Sequence, residues 1–281
     1  MDDFFYGWYL KCQSDTQTLA VIPAVHQVGN RNTCSIQIIT ENEAWTFTFP
    51  GEIFFRTNRN IYIGENRFGK DGICLNVKTS QITVKGELFF GRLWPLQYPI
   101  MGPFSLLPFM ECRHGVWSML HSVSGKLLVN GKEYCFRNAG GYWEGDCGHS
   151  FPKNYAWTQC FFTGGSLMLS VADIPIGRVR FTGIIGVVLW QGREYRFATY
   201  LGAKVLYIKN KRISVMQGHL KLEAGLLKEN GQPLKAPQRG DMARTIHESA
   251  TCQAFYRFIK GKRTLFTFTT PRASFEYEYP L

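Results

Sequence analysis

"SLMLSVAD" at 166–173 and "FTGIIGVVLW" at 181–190 are short apolar runs, rich in β-branched residues and bounded by glycines and charged residues. Segments of this length and composition read as β-strands rather than helical turns. The same character recurs in "SIQIIT" (35–40), "AWTFTF" (44–49), "GKLLVNG" (125–131), "KVLYIKN" (204–210), "LKLEAGLL" (220–227) and "TLFTFTT" (264–270). Gly, Asn or Pro punctuates the intervals, and no long stretch carries the 3.6-residue apolar period of a surface helix. An all-β chain of many short strands is therefore expected, arranged as barrels or sandwiches. It has neither a G-x-x-x-x-G-K-[ST] loop nor a strand-to-helix G-x-G-x-x-G, which argues against a bound nucleotide.

The chain has 281 residues, 45% of them hydrophobic and 15% aromatic. That is enough to bury a large core, and it excludes a disordered chain. No run approaches the roughly 18 apolar residues of a membrane span. The opening "MDDFFYGWYLK" is acidic where a secretory leader would be basic, so a soluble, cytoplasmic protein is expected. Eight cysteines are spread singly without a C-x-x-C pair, and read as reduced packing residues. The net charge of +11 is densest in "KNKR" (209–212) and "RFIKGKR" (257–263). No nucleic-acid-binding motif accompanies these segments. Each looks like a hairpin tip, either simply solvated or in transient contact with an anionic membrane surface.

A weak internal repeat suggests how the strands are grouped. "GWYLKCQSDTQTLAVIP" (7–23) and "AWTQCFFTGGSLMLSVADIP" (156–175) share a Trp, a Cys three or four residues later, a turn, an apolar strand and Ile-Pro. Two related β units follow from this, with expected bounds of 1–135 and 136–281.

The stretch joining them, "YWEGDCGHSFPKNYAWTQC" (142–160), resembles the signature of the tocopherol cyclase family through Tyr142, Glu144, Asp146, Gly148, Phe151, Pro152, Tyr155, Trp157, Gln159 and Cys160. "FFYGWYLK" (4–11) and "MGPFSLLPFMECRHGVWSMLHSVSGKLLVNG" (101–131) resemble two further blocks of that family, in the right order. The resemblance implies two lipocalin-like β units packed together, and an enzyme that cyclises, hydrates or isomerises a hydrophobic prenyl or polyene-type substrate. A carrier that binds such a molecule unchanged is the alternative. Where plant-type members read E-K-N-W-G, this chain reads "EGDCG", so the resemblance carries the scaffold and leaves the substrate open.

Such chemistry needs an acid near a C=C bond, a base for the attacking oxygen and an apolar cavity. It requires no metal or organic cofactor. On a strand, Tyr142, Glu144 and Asp146 would share one face, with carboxylates about 6.5–7 Å apart at the backbone. Two carboxylates in a partly apolar site raise one pKa, making Asp146 the expected proton donor and Glu144 its tuning neighbour. The competing reading makes "EGD" a turn in which Asp146 caps backbone amides. His114 and His121 are the candidate bases. Seven residues apart, they fall on opposite faces of a regular strand, so a bulge intervenes or only one meets the substrate. Glu111, His114 and His121 do not have the spacing of a zinc site. Trp8, Tyr142, Tyr155 and Trp157 are expected to touch substrate. Arg244 and Glu248 in "GDMARTIHES", and Arg196 and Tyr200 in "REYRFATYLGAK", are further polar candidates. His149, after the proposed turn, is not.

Overall fold

A computed structural model describes residues 3–107, 110–176 and 179–280, and they form an almost wholly β chain. Eleven strands make one antiparallel, barrel-like sheet. These are β1 (Phe4–Gln13), β2 (Thr18–Val28), β3 (Arg31–Ile39), β4 (Ala44–Pro50), β5 (Phe54–Arg56), β6 (Asn60–Ile63), β7 (Asn66–Gly69), β8 (Gly72–Lys78), β9 (Thr83–Phe90), β10 (Cys112–Val129) and β11 (Lys132–Gly148). The second sheet comprises β12 (Tyr155–Phe162), β13 (Gly165–Ile176), β14 (Val179–Trp190), β15 (Arg193–Ala198), β16 (Lys204–Lys209), β17 (Arg212–Gln217), β18 (Leu220–Lys228), β19 (Gln232–Gln238), β20 (Asp241–Lys260) and β21 (Arg263–Tyr277).

Both sheets are wired alike. The first runs β4-β3-β2-β1-β11-β10-β9-β8-β7-β6-β5, and the second β15-β14-β13-β12-β21-β20-β18-β17-β16 with β19 beside β20. In each, four consecutive strands form a meander whose first member pairs with the last strand of the unit. The repeat read from 7–23 and 156–175 corresponds to β1–β2 and β12–β13, which hold equivalent places. Cys12 and Cys160 are buried in the cores of their respective units.

The chain divides into two compact units, but not at residue 135. That position lies inside β11, which belongs whole to the first sheet. The first unit ends its main run at Leu96, resumes over His114–Ser150 and includes Leu234–Arg244; the second holds Gln97–Arg113, Phe151–Pro233 and the chain from Thr245 onward. The Leu234–Arg244 segment is tied to the first unit by reciprocal bonds between Gln37 and the Lys235 backbone, at 3.2 Å each.

Strand alternation decides what each face carries. In β1, Trp8, Leu10 and Cys12 enter the core of the first unit with Leu19, Val21, Ile36, Ile38 and Trp143. Tyr9 and Lys11 therefore lie on the other face. Glycines on β11 make room on the core face. A Cβ on Gly141 would come 2.3 Å from His121 Nε2, and one on Gly145 would come 2.4 Å from the Gly7 carbonyl oxygen and 3.0 Å from the Trp117 ring.

The turns follow their sequence signals. Asn130 and Gly131 both have positive φ, 51° and 80°, the geometry of a tight two-residue hairpin. Both basic segments are hairpin tips, with Lys209 opposite Arg212 and Lys260 opposite Arg263. They sit at opposite ends of β18: the first abuts Leu226 through the Lys211 carbonyl, and the second abuts His219 through the Gly261 amide. They do not form one patch. All eight cysteines are free, four buried and four partly so. No helix among the described residues is long and apolar enough to cross a membrane.

Because the Gly7 carbonyl is backbone and cannot swing aside, Gly145→Ala is expected to destabilise the protein by about 1–3 kcal/mol. Urea-induced unfolding of the two proteins measures this; an unchanged midpoint would contradict the packing of β1 on β11.

Candidate active site

β11 runs unbroken through Gly148, so "EGD" is strand and not turn. Tyr142, Glu144 and Asp146 share the face opposite Trp143, as period 2 requires. The register across β1 sets Tyr9 opposite Glu144, Lys11 opposite Tyr142 and Gly7 opposite Asp146. Directly paired residues point the same way, so all six positions belong to one wall. Tyr142 and Lys11 are fully buried, and Tyr9 and Glu144 nearly so.

His114, near the start of β10, joins this wall. Its Nδ1 lies 2.9 Å from Asp146 Oδ1 in a hydrogen bond. Its Nε2 lies 3.1 Å from Glu144 Oε2, off the line of a good hydrogen bond, so that contact is an ion pair by proximity. Tyr142 donates its hydroxyl proton to the same Glu144 oxygen. One continuous network thus runs from Tyr142 through Glu144 and His114 to Asp146.

Burial alone would push the His114 imidazole down. Asp146 and Glu144 overcome it by charge and hydrogen bonding, holding the ring well above its ordinary value of 6.5. Burial first, then the neighbouring Glu144 charge, pushes the Tyr142 phenol well above 10.0. The site therefore keeps its proton on His114 between two carboxylates. Asp146, expected as the donor, accepts from His114 here, and its side chain is the most open of the three charged groups, at 24%.

His121 is elsewhere. Odd-numbered residues of this part of β10 face the core of the first unit, where the His121 ring packs 4.5 Å from Phe90 and its Nδ1 meets Ser118 Oγ at 3.0 Å. Burial takes this ring down to about 4, so it is neutral at ordinary pH. The two histidines do lie on opposite faces, and only His114 reaches the carboxylates. With them apart, Glu111, His114 and His121 do not converge; among the described residues no group of three His, Cys, Asp or Glu is placed to hold a metal ion.

The other expected residues fall in both units. Trp8 lies in the core of the first unit, stacked on Tyr6 at 4.0 Å, on the opposite face of β1 from Tyr9. Tyr155 and Trp157 belong to the second unit, where the Tyr155 hydroxyl donates to Glu276 Oε2 at 2.5 Å and Trp157 pairs across the sheet with Glu276. Aligning Cys12 with Cys160 matches Tyr9 to Trp157 and Glu144 to Glu276: each unit sets a buried glutamate against an aromatic ring and a tyrosine hydroxyl. Arg196 pins the segment before residue 101. Its guanidinium meets Glu194, donates to the Tyr98 carbonyl at 2.5 Å and the Pro99 carbonyl at 3.4 Å, and covers the Tyr98 ring. The Tyr200 hydroxyl donates to the Ile100 carbonyl at 2.9 Å, so it too serves this anchorage. Arg244 and Glu248 lie on the more buried face of β20, as their alternation suggests; Glu248 is 3% exposed. His149 meets the Asp3 carbonyl. Phe109, in the family-like block at 101–131, lies outside the described residues. Tyr9 was expected from sequence only as one of the wall aromatics, and Lys11 was not singled out. The signal for Lys11 was the alternation of "GWYLK" against Tyr142, Glu144 and Asp146.

Removing His114 takes away the imidazolium that both carboxylates contact. His114→Gln is expected to cost about 3 kcal/mol or more near neutral pH. A raised folded-state pKa gives stability that is complete below about 6.5 and fades as pH rises toward the folded-state value. Thermal melts from slightly acid to alkaline pH should show the wild type losing stability more steeply than the variant above pH 6.5; parallel curves would contradict a charged His114.

The chain is similar in fold to two solved structures, one described as the crystal structure of CghA with Sch210972 and one as that of CghA. The alignments cover 98% of this chain and 88% of each of those, with TM-scores of 0.59 and 0.58 and sequence identities of 9% and 8%. These shared architectures support lipocalin-like β units. No curated protein matches the sequence. The family model for tocopherol cyclase-like proteins matches residues 75–264, which carry β10, β11 and hence His114, Tyr142, Glu144 and Asp146, and the chain belongs to the tocopherol cyclase-like family.

Proposed function

We propose that the chain is an acid–base enzyme that closes a ring in, or otherwise isomerises, a hydrophobic prenyl or polyene-type substrate without a cofactor. The observation that carries this reading is the buried His114 held between Glu144 and Asp146. A pure carrier of an apolar molecule gains nothing from burying an imidazolium and two carboxylates. A catalyst that protonates an alkene needs a positioned proton donor whose conjugate base stays in place.

In this reading His114 passes its Nδ1 proton along the 2.9 Å hydrogen bond to Asp146, whose neutral carboxylic acid protonates the substrate C=C bond. The electron pair of that bond forms the new C–H bond and leaves a cation on the more substituted carbon. A substrate hydroxyl attacks the cation, forming a C–O bond, and its proton returns to the Asp146 carboxylate and so to His114. No atom is gained or lost, so the product is an isomer. Glu144 keeps His114 protonated between turnovers, and Tyr142 fixes the Glu144 carboxylate through its hydroxyl. Hydration would follow the same course with water as the attacking oxygen.

The test incubates isoprenoid-containing lipid extracts with wild type, His114→Ala, Asp146→Asn and Glu144→Gln, following mass-neutral and plus-water products by mass spectrometry. Wild-type conversion should fall by about 10²–10⁴-fold in His114→Ala and Asp146→Asn. In Glu144→Gln the pH at which activity is lost should shift downward, because one of the two charges that hold up His114 is gone. Turnover that survives both His114→Ala and Asp146→Asn would overturn the assignment; a ligand recovered unchanged from all four proteins would favour the carrier.

A further inference from the structure

The outer face of the second unit carries a charge pattern that the acid–base network does not use. On β16, β17, β18 and β20, Val205, Ile213, Val215, Leu222 and Phe258 turn into the core of that unit, so the residues between them face outward. Directly paired residues share a face, and the register lays them out in rows. Lys204 stands opposite Met216, and Met216 opposite Lys221. In the next row Tyr207 stands opposite Ser214, Ser214 opposite Glu223 and Glu223 opposite Arg257. Lys209 and Arg212 begin the third; the Arg212 chain lies across Gly225, where a Cβ would come 3.2 Å from the Arg212 Cγ. The two basic hairpin tips stand at opposite ends of this wall.

Five cations thus surround one carboxylate. Glu223 is shared by Lys221 at 2.6 Å and Arg257 at 3.9 Å, so the wall stays strongly positive. Lys204, Lys209 and Arg212 are exposed, and none of them has a carboxylate partner among the described residues. Apolar groups sit among these charges. Leu206, Tyr207 and Met216 are 46%, 42% and 38% exposed. A bulge between Val205 and Tyr207 inserts one extra residue into β16, and it leaves Leu206 and Tyr207 both open to solvent.

Single exposed apolar residues are ordinary on a protein surface. Three together on two paired strands, ringed by cations, match the surface of a protein that lies on a membrane, where apolar groups enter the headgroup boundary and charged ones meet anionic lipid. Lysine suits that setting, because its stem lies along apolar matter while the ammonium stays in water. A nucleic acid would accept the charge, but bases stack on aromatic platforms, and the aliphatic Leu206 and Met216 offer none.

We propose that this outer wall docks the protein on an anionic lipid bilayer, with Lys204, Lys209 and Arg212 meeting the lipid phosphates and Leu206, Tyr207 and Met216 entering the interface. The wall belongs to the second unit, and His114, Glu144 and Asp146 to the first, so docking does not depend on the reaction proposed above.

The test mixes the native full chain with vesicles of phosphatidylcholine, with or without phosphatidylglycerol, and measures the bound fraction by co-sedimentation. The protein should bind the mixed vesicles and not the neutral ones, less tightly as salt rises. Replacing Lys204, Lys209 and Arg212 together by Gln should weaken binding about 100-fold. Leu206→Gln with Met216→Gln should weaken it about tenfold, at high salt as well as low. Replacing Lys70, Lys78 and Lys85, exposed cations of the first unit, by Gln removes the same charge and should change binding by less than about threefold. All these positions are exposed, so the variants should keep the wild-type melting temperature. No binding to mixed vesicles, equal binding to neutral ones, equal losses in the two triple variants, or unchanged binding in the Leu206, Met216 double variant would each overturn the proposal. Preference for a single-stranded DNA oligonucleotide over the mixed vesicles would assign the wall to nucleic acid and overturn it too.

Discussion

The pairing of β1 with β11 is the constraint on which the rest depends. It joins the first strand of the unit to its last, and its register fixes Trp8 against Gly145 and Tyr9 against Glu144. Since neighbouring side chains on a strand alternate, this one ladder sorts residues into an apolar face and a polar, buried one. A slip by one residue would exchange the faces, sending Glu144 and Asp146 into the tryptophan core and Trp143 into the charged wall. The cost of burying unpaired carboxylates among apolar side chains makes that alternative untenable, so the same charges on which the proposed chemistry rests also enforce the register.

The polar wall is stabilised by completeness rather than by any single bond. Two carboxylates alone would repel, and an imidazole alone would lose its proton on burial, as His121 does. Together, His114, Glu144 and Asp146 favour the charged ring despite desolvation, and Tyr142 satisfies Glu144 from the other side. Partial networks of this kind are worse than none, which explains why His114 holds contacts on both ring nitrogens.

The strands, their hairpins and the doubling of the architecture were legible because each is written locally. Asn130–Gly131 names its own turn, and the Cys12 and Cys160 segments share a pattern that the two sheets repeat in their wiring. Tyr142, Glu144 and Asp146 could be grouped by period 2 as soon as they were taken as a strand. What sequence could not supply was non-local. The limit at Ser150 and the exchange of Gln97–Arg113 and Leu234–Arg244 between units depend on where long segments return, and no local signal marks that. Alternation of polar and apolar groups picked out Arg196 and Tyr200, but it could not show that they bond to backbone carbonyls about a hundred residues earlier.

The position of the proton shows the same limit at the level of chemistry. Two neighbouring carboxylates suggest that one of them is the acid, and that inference holds only while no base lies within reach. His114 is 32 residues from Asp146 in the chain, and β10 brings it between the two carboxylates. The shared proton then rests on the stronger base, and the carboxylates become its supports. Asp146 can act as an acid in this setting only by borrowing that proton at the moment of transfer. The acid strength of the site is therefore set by the geometry of three groups from two strands, and the steric fit of Gly145 against the Gly7 carbonyl holds one of those strands in place.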